Sequence, residues 1–185
     1  MAFLNRKELD TSEITEADMQ YAIAVQSVWI NKRYTAMIPN CFTTVTHDNE
    51  ADLYGIRPSG LCDEIEIKVS KADFRIDEKK TVKVLDEAAP TRWNRYTDVL
   101  KRTALTDGNM SNYFWYAFPK GLVDHADVPD WAGIIEVDGL LNAHEVRMPK
   151  RLHGRKLSIE EQLKQIKKLG YRFWNLVKKN KSKAP

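Results

Sequence analysis

The chain has 185 residues, 43% of them hydrophobic, which is enough for one domain with a sizeable core. No apolar run approaches the ~20 residues of a membrane helix, no charged-then-apolar leader is present, and Cys41 and Cys62 form no C-x-x-C pair. Neither a membrane span, a disulfide scaffold nor a zinc finger is indicated, and the expected setting is a reducing cytoplasm. The net charge of +3 hides an asymmetry: residues 145–185 hold 13 Lys/Arg against 3 Asp/Glu, and the rest of the chain 16 against 23. A basic tail beside an acidic remainder suits contact with nucleic acid near a metal-binding region, although such tails also serve solubility.

In chain order, residues 1–12 lack periodicity and read as a loosely held arm. Thr15 is placed to cap a helix with Glu16 and Asp18 in its first turn. Met19, Ala22, Ile23, Val25, Gln26, Trp29 and Ile30 then fall near helical spacing, so this helix is expected to pack on a sheet. Pro39 ends the link that follows, and the β-branched run 41–46 predicts the first strand. His47 and its polar neighbours read as a turn, with a loop histidine near a phosphate as the functional alternative.

The most informative stretch is 51–73, ADLYGIRPSGLCDEIEIKVSKAD. Two apolar-alternating runs flank Arg57-Pro58-Ser59-Gly60, a hairpin signal. In the second run Cys62, Glu64, Glu66 and Lys68 share one strand face and Leu61, Ile65, Ile67 and Val69 are assigned to the other. A five-residue loop pairs Ile56 with Cys62 and sets Asp52 opposite Glu66, close enough for one small cation to bridge both carboxylates. A loop one residue shorter sets Asp52 opposite Ile65 instead, on a diagonal to Glu66. Alternating Glu and Lys is also a common pattern on a solvated strand face.

Ser70 and Asp73 form a Ser-x-x-Asp helix start, and a helix is expected over about 71–85. Its Lys71, Arg75, Lys79, Lys80 and Lys83 are candidates for phosphate contacts along a cleft, or a solvated face paired with Asp73, Asp77 and Glu78. In 86–112, Arg92-Trp93-Asn94-Arg95-Tyr96 interleaves arginines with aromatics, so Arg92 and Arg95 suit backbone contact and base stacking. A small amphipathic helix burying Trp93, Tyr96 and Leu100 is the alternative. The run 112–118 predicts a strand buried on both faces, and 133–137 and 144–148 two more, the last at an edge. His125, His144 and His153 lack metal-ligand spacing. Ser158 and Glu161 form a capping box for a final helix that buries Leu163, Ile166, Leu169, Phe173 and Leu176 and offers Lys164, Lys167, Lys168 and Arg172. Neither a G-x-x-x-x-G-K-[ST] loop nor a G-x-S-x-G elbow is present.

Asp52 followed by Glu66-Ile67-Lys68 in a second strand resembles the signature of the PD-(D/E)xK nuclease superfamily, and EIEIKVSKADF resembles a branch of small bacterial and phage DNA-repair-like nucleases. The likeness spans most of the chain but is specific only over 52–74, and Ala51 stands where the nominal Pro would be, a position that varies widely. The resemblance implies a restriction-endonuclease-like α/β fold, here a mixed sheet of four or five strands flanked by helices, with a basic C-terminal helix. It implies hydrolysis of DNA phosphodiesters with Mg²⁺, or Mn²⁺, held by Asp52, Glu66 and the Ile67 carbonyl. Lys68 would position the attacking water or stabilise the phosphorane, and a carboxylate from the first helix, Glu16 or Asp18, sometimes joins such sites. Glu64 would act as a base behind the metal ligands or be an exposed partner for Lys68. DNA is the expected partner and a homodimer is compatible, in the cytoplasm of a bacterial or phage-infected cell. A nuclease-fold protein that binds DNA without cutting it, a basic RNA-binding module and a purely structural Glu-Lys face remain the alternatives.

Overall fold

A computed structural model describes residues 8–43, 49–77, 79–86 and 95–181. His47, Glu78, Arg92, Trp93 and the extreme C-terminal residues lie outside that set. The strands are β1 (Ala36–Phe42), β2 (Glu50–Ile56), β3 (Cys62–Ile67), β4 (Thr81–Leu85), β5 (Tyr96–Leu100), β6 (Tyr113–Pro119), β7 (Gly133–Val137) and β8 (Ala143–Arg147). The helices are α1 (Glu16–Tyr21), α2 (Val28–Asn31), α3 (Lys71–Asp77), α4 (Lys101–Thr106) and α5 (Ile159–Lys181).

Six strands form one sheet in the order β1-β2-β3-β6-β7-β8, and β4 pairs with β5 as a separate ribbon. The sheet is mixed: β3, β6 and β7 run parallel, and the remaining neighbours are antiparallel. The expected α/β architecture is present, with more strands in the main sheet than expected. Every residue of β3 is buried, as is all of β6 except half-buried Tyr113, which is why both read as continuous apolar or unusually placed charged runs.

Each face has its own core. Leu53, Ile65, Ile67, Trp115 and Ile135 pack against Met19, Ala22, Ile23 and Ile30 of the N-terminal helical segment. On the other face Phe114, Tyr116, Phe118 and Ile134 meet Phe74, Val82, Ala104 and Leu105, brought by α3, the ribbon and α4. Farther along that face Ile38, Tyr54 and Cys62 join Leu157, with Ile166 and Leu169 of α5 packed against them.

Four expectations are corrected. The first helix is not continuous, because a π turn over Ala22–Gln26 follows α1 and the chain breaks at Ser27, which caps α2. The extra residue in that turn rotates the later side chains, so Val25 and Trp29 face solvent. β1 begins at Ala36 rather than 41 and contains Pro39, tolerated because the strand lies at the sheet edge. The helix expected over 71–85 ends at Asp77, and Thr81-Val82-Lys83-Val84-Leu85 is β4, its β-branched alternation winning over helical spacing. Tyr96 and Leu100 accordingly sit on a strand, about half exposed, rather than in a buried helix.

The fourth concerns α5. Its capping box forms, with Glu161 N–H donating to Ser158 Oγ and Ser158 N–H to Glu161. Of its apolar residues only Ile166 and Leu169 are packed against a core, whereas Leu163, Phe173 and Leu176 are all more than half exposed. Lys168 donates to the Phe42 carbonyl and Arg172 to the Asn40 carbonyl, so these two cations are engaged with β1.

Gly133 is required by close approach: a Cβ built there lies 2.4 Å from the buried Trp115 ring. Gly133→Ala is expected to lower stability by about 3 kcal/mol, read as a lower urea midpoint at unchanged m-value.

Candidate active site

The β2–β3 turn sets the site. Gly60 takes φ +82°, Arg57 N–H donates to the Leu61 carbonyl at 2.8 Å, and Ile56 pairs with Cys62. The five-residue loop is therefore the one adopted. Pairing runs to Leu53 opposite Ile65, and continuing it by one residue places Asp52 beside Glu66. There the ladder gives way to a side chain. Lys68 N–H points toward β6, donating to Ala117 O at 2.9 Å, so Ile67 N–H points toward β2. Asp52 Oδ2 accepts that N–H at 2.7 Å. Gln20 steadies the same spot from α1, donating to the Asp52 carbonyl at 3.1 Å and to Asn40 Oδ1 at 2.5 Å.

Glu66 is held by three ammonium groups. Lys68 Nζ lies 2.9 Å and Lys80 Nζ 3.1 Å from Oε1, and Lys101 Nζ 2.7 Å from Oε2. Lys101 also reaches Glu64 Oε1 at 3.0 Å, an oxygen that accepts from Asn49 Nδ2 at 3.1 Å. Lys68 lies 3.4 Å from Asp77 Oδ1, and Asp77 Oδ2 accepts from the Tyr116 hydroxyl at 2.6 Å.

These distances set the charges. Burial would raise the Glu66 carboxyl, but the charges of Lys101, Lys68 and Lys80 outweigh it and hold it well below the usual carboxylate range. Burial acts to lower Lys101 and Lys68, and neighbouring carboxylates reverse this in both, led by Glu64 for Lys101 and by Glu66 for Lys68. A lysine lowered toward neutrality is thus not what the chain builds at Lys68, which stays an ammonium. Asp52 goes the other way: burial, then the charge of Glu66, pushes it up to about 7, against the Ile67 N–H and Lys68. Asp52, Glu64, Glu66, Asp77 and, 3.7 Å from Lys68, the half-exposed Asp73 face Lys68, Lys80 and Lys101, so carboxylates outnumber ammonium groups here, and Asp52 is the one that burial and Glu66 make a weak acid.

The structure gathers Asp52, Glu66, Ile67 and Lys68 as the hairpin required. Glu64 joins them from a different position: it is wholly buried, and its partner is Lys101 rather than Lys68. Of the basic candidates Lys80 enters the cluster, while Lys71, Arg75, Lys79 and Arg95 are exposed. Lys71 and Arg75 line a separate cleft with Asp124 and Asp127. Asp18 is engaged in the Thr15 capping box, and Glu16 is exposed with its charge still felt at Asp52. Lys101, Asp77 and Tyr116 were not anticipated as site residues. Lys101 opens α4 directly after β5, where nothing in Val99-Leu100-Lys101-Arg102 distinguishes an inward lysine from a solvated one.

The atoms the sequence assigns to a cation are oxygens, but both Glu66 oxygens are engaged here, Oε1 by Lys68 and Lys80 and Oε2 by Lys101. Asp52 Oδ1, the Ile67 carbonyl and the carboxylate of Glu66 are all oxygens, and magnesium is commonly held by one or two carboxylates with waters completing its shell. Among the described residues no group of three or more His, Cys, Asp or Glu is arranged as a metal cage. No protein-family model and no curated protein matches the chain. A solved structure similar to it is a protein of unknown function from Silicibacter pomeroyi, 15% identical, with 94% of this chain and 97% of that chain covered and a TM-score of 0.57. At that identity the likeness is one of fold.

Lys101→Met leaves Glu64 and Glu66 buried without their shared cation, and is expected to cost about 3–5 kcal/mol in urea unfolding. Adding Glu64→Gln should recover part of that loss, the coupling being read from the double-mutant cycle.

Proposed function

We propose that the chain is a metal-dependent nuclease that hydrolyses DNA phosphodiesters at the Asp52, Glu66, Lys68 site. The observation that carries this reading is the placement of Asp52 beside Glu66 at the point where the β2–β3 ladder ends, with Lys68 on the same strand. Mg²⁺ or Mn²⁺, held by Asp52, Glu66 and the Ile67 carbonyl, would supply Lewis acidity and a water of lowered pKa. Asp52 contributes a carboxylate with little counter-charge of its own, Lys68 a permanent positive charge for the phosphoryl oxygens, and Glu64 with Lys101 a fixed backing for Glu66. Lys80, more than a third exposed, is the cluster member free to swing toward a phosphate. The exposed Lys71, Arg75 and Lys79 supply further positive charge on α3 and just beyond it. The basic C-terminal helix fits DNA as the partner.

A second reading is a DNA-binding protein that does not cut, favoured by the saturation of Glu66 with three ammonium groups. Cleavage of linear, nicked and four-way DNA with Mg²⁺, Mn²⁺ or EDTA separates the two. We expect metal-dependent cutting that falls about 100-fold or more in Glu66→Ala and in Lys68→Ala while binding is retained. Binding without cutting under either metal establishes the second reading.

Asp52 supplies a pH test. Its folded carboxyl keeps a proton up to about 7, and the unfolded one loses it near the ordinary value of 3.8. Folding therefore binds a proton in this window, and wild-type stability falls as pH rises from about 4 to 7. Asp52→Asn, which keeps an acceptor for Ile67 N–H, should exceed wild type in stability by about 2 kcal/mol at pH 8, allowing for partial solvent access, and match it near pH 4. Magnesium should raise the Tm of wild type at pH 8 and leave that of Asp52→Asn unchanged.

A further inference from the structure

From Leu163 to Lys181, α5 carries seven Lys/Arg and no Asp/Glu. Two of the seven, Lys168 and Arg172, are turned to β1, on the side where Gln165 is buried and Ile166 and Leu169 pack. On the other side Lys167, Tyr171, Trp174 and Lys178 recur at i, i+4, i+7 and i+11, so they line one stripe of the helix. All four are exposed, Tyr171 by 72% and Trp174 by 66%. The Phe173 ring, 5.3 Å from that of Trp174 and inclined to it at 70°, braces the indole from the side.

We infer that this stripe receives single-stranded DNA, with bases stacking on Tyr171 and Trp174 and phosphates meeting Lys167 and Lys178. The inference rests on the nuclease proposal and specifies the form of its substrate. Charge is the first observation that selects this occupant: so many cations without an acid repel a second copy of the same face and attract a polyanion. The second is the mixing of residue types. Lysines bracket the aromatic pair along one stripe, as a strand of phosphates and unpaired bases requires, whereas a helix lying on a lipid surface segregates its apolar face from its cations. The apolar face that α5 does segregate is already spent on the protein, through Ile166 and Leu169. A paired base, stacked inside a duplex, has no face to offer these rings.

Position is the third. Arg172, between the two rings in sequence, donates to the Asn40 carbonyl and lies 3.7 Å from Glu50. Asn40 stands between Pro39, paired with Leu53, and Cys41, paired with Ala51, and hence across from Asp52. Gln20 bonds both Asn40 and Asp52. Neighbouring strands are about 4.8 Å apart and a helix with its side chains about 10–12 Å across, which sets the stripe on the order of 15–20 Å from Asp52. A strand held on α5 reaches the phosphodiester site within a few nucleotides, so the substrate is a free single strand or a duplex with a single-stranded flank.

The test is equilibrium binding of full-length protein, in EDTA, to four probes: an oligo-dT of about 20 nucleotides, an abasic strand of equal length, a blunt duplex, and phosphatidylserine–phosphatidylcholine vesicles. We expect oligo-dT to bind at least 10-fold tighter than the abasic strand or the duplex, with tryptophan fluorescence quenched. Tyr171→Leu combined with Trp174→Leu changes two exposed positions and should lower oligo-dT affinity about 10-fold or more at an unchanged salt slope. Lys167→Gln combined with Lys178→Gln should flatten the slope of log K against log salt by about 1.4, the share of two phosphates. Affinity for oligo-dT no greater than for the abasic strand or the duplex, or indifference to loss of the two rings, overturns the inference. Binding of the vesicles alone overturns it too and makes the face a membrane contact. Metal-dependent cutting that is equal for blunt and flanked duplexes, and unchanged without the rings, removes the inference alone. Oligo-dT binding through the rings without cutting under Mg²⁺ or Mn²⁺ removes the nuclease reading alone, and failure to bind any DNA overturns both.

Discussion

Neutralising two buried glutamates on one face of β3 is the constraint on which this structure turns. Glu64 and Glu66 lie inside the sheet layer, where an unpaired carboxylate costs several kcal/mol. Three separate segments supply the opposing charges: the end of β3 provides Lys68, the residue before β4 Lys80, and the start of α4 Lys101. The placement of α3, the ribbon and α4 over this face follows from where those ammonium groups must sit as much as from their apolar contacts with Phe114 and Tyr116.

The same strand shows what a closed acidic site looks like. Asp63, on the opposite face, receives two bonds from Arg57 at 2.6 and 2.7 Å, one from Tyr34 at 2.9 Å and one from Trp115 at 2.8 Å. Its capacity is spent, and it locks the β2–β3 turn to the N-terminal core. Asp52 differs in having one structural bond from a backbone N–H, while burial and then the neighbouring Glu66 raise it to about 7. Two buried or half-buried acids on one hairpin are thus set apart by their partners, Asp63 saturated with donors and Asp52 left with few.

The hairpin and its facing carboxylates were legible because a strand's period of two and the length of one turn determine them. Lys101 was not, since its partners are 35 and 37 positions away in sequence and only the ribbon's path brings them together. The segment 71–85 misled for a related reason: its basic residues keep helical spacing, whereas Thr81-Val82-Lys83-Val84-Leu85 alternates as a strand that pairs with β5. In α5 the apolar spacing over 163–176 is real, but only Ile166 and Leu169 meet a core, so periodicity overstated burial. Asp63 gave no signal because its partners Tyr34, Arg57 and Trp115 read as ordinary core and turn residues.

The two cations of α5 that bond the carbonyls of Asn40 and Phe42 have an effect beyond local anchoring. A sheet margin offers a row of unused donors and acceptors that another chain's strand can adopt. On β1 that row is interrupted by Pro39, which has no donor, bent at Asn40 with its φ of +44°, and stoppered by Lys168 and Arg172. Strand addition at this margin would have to evict the helix.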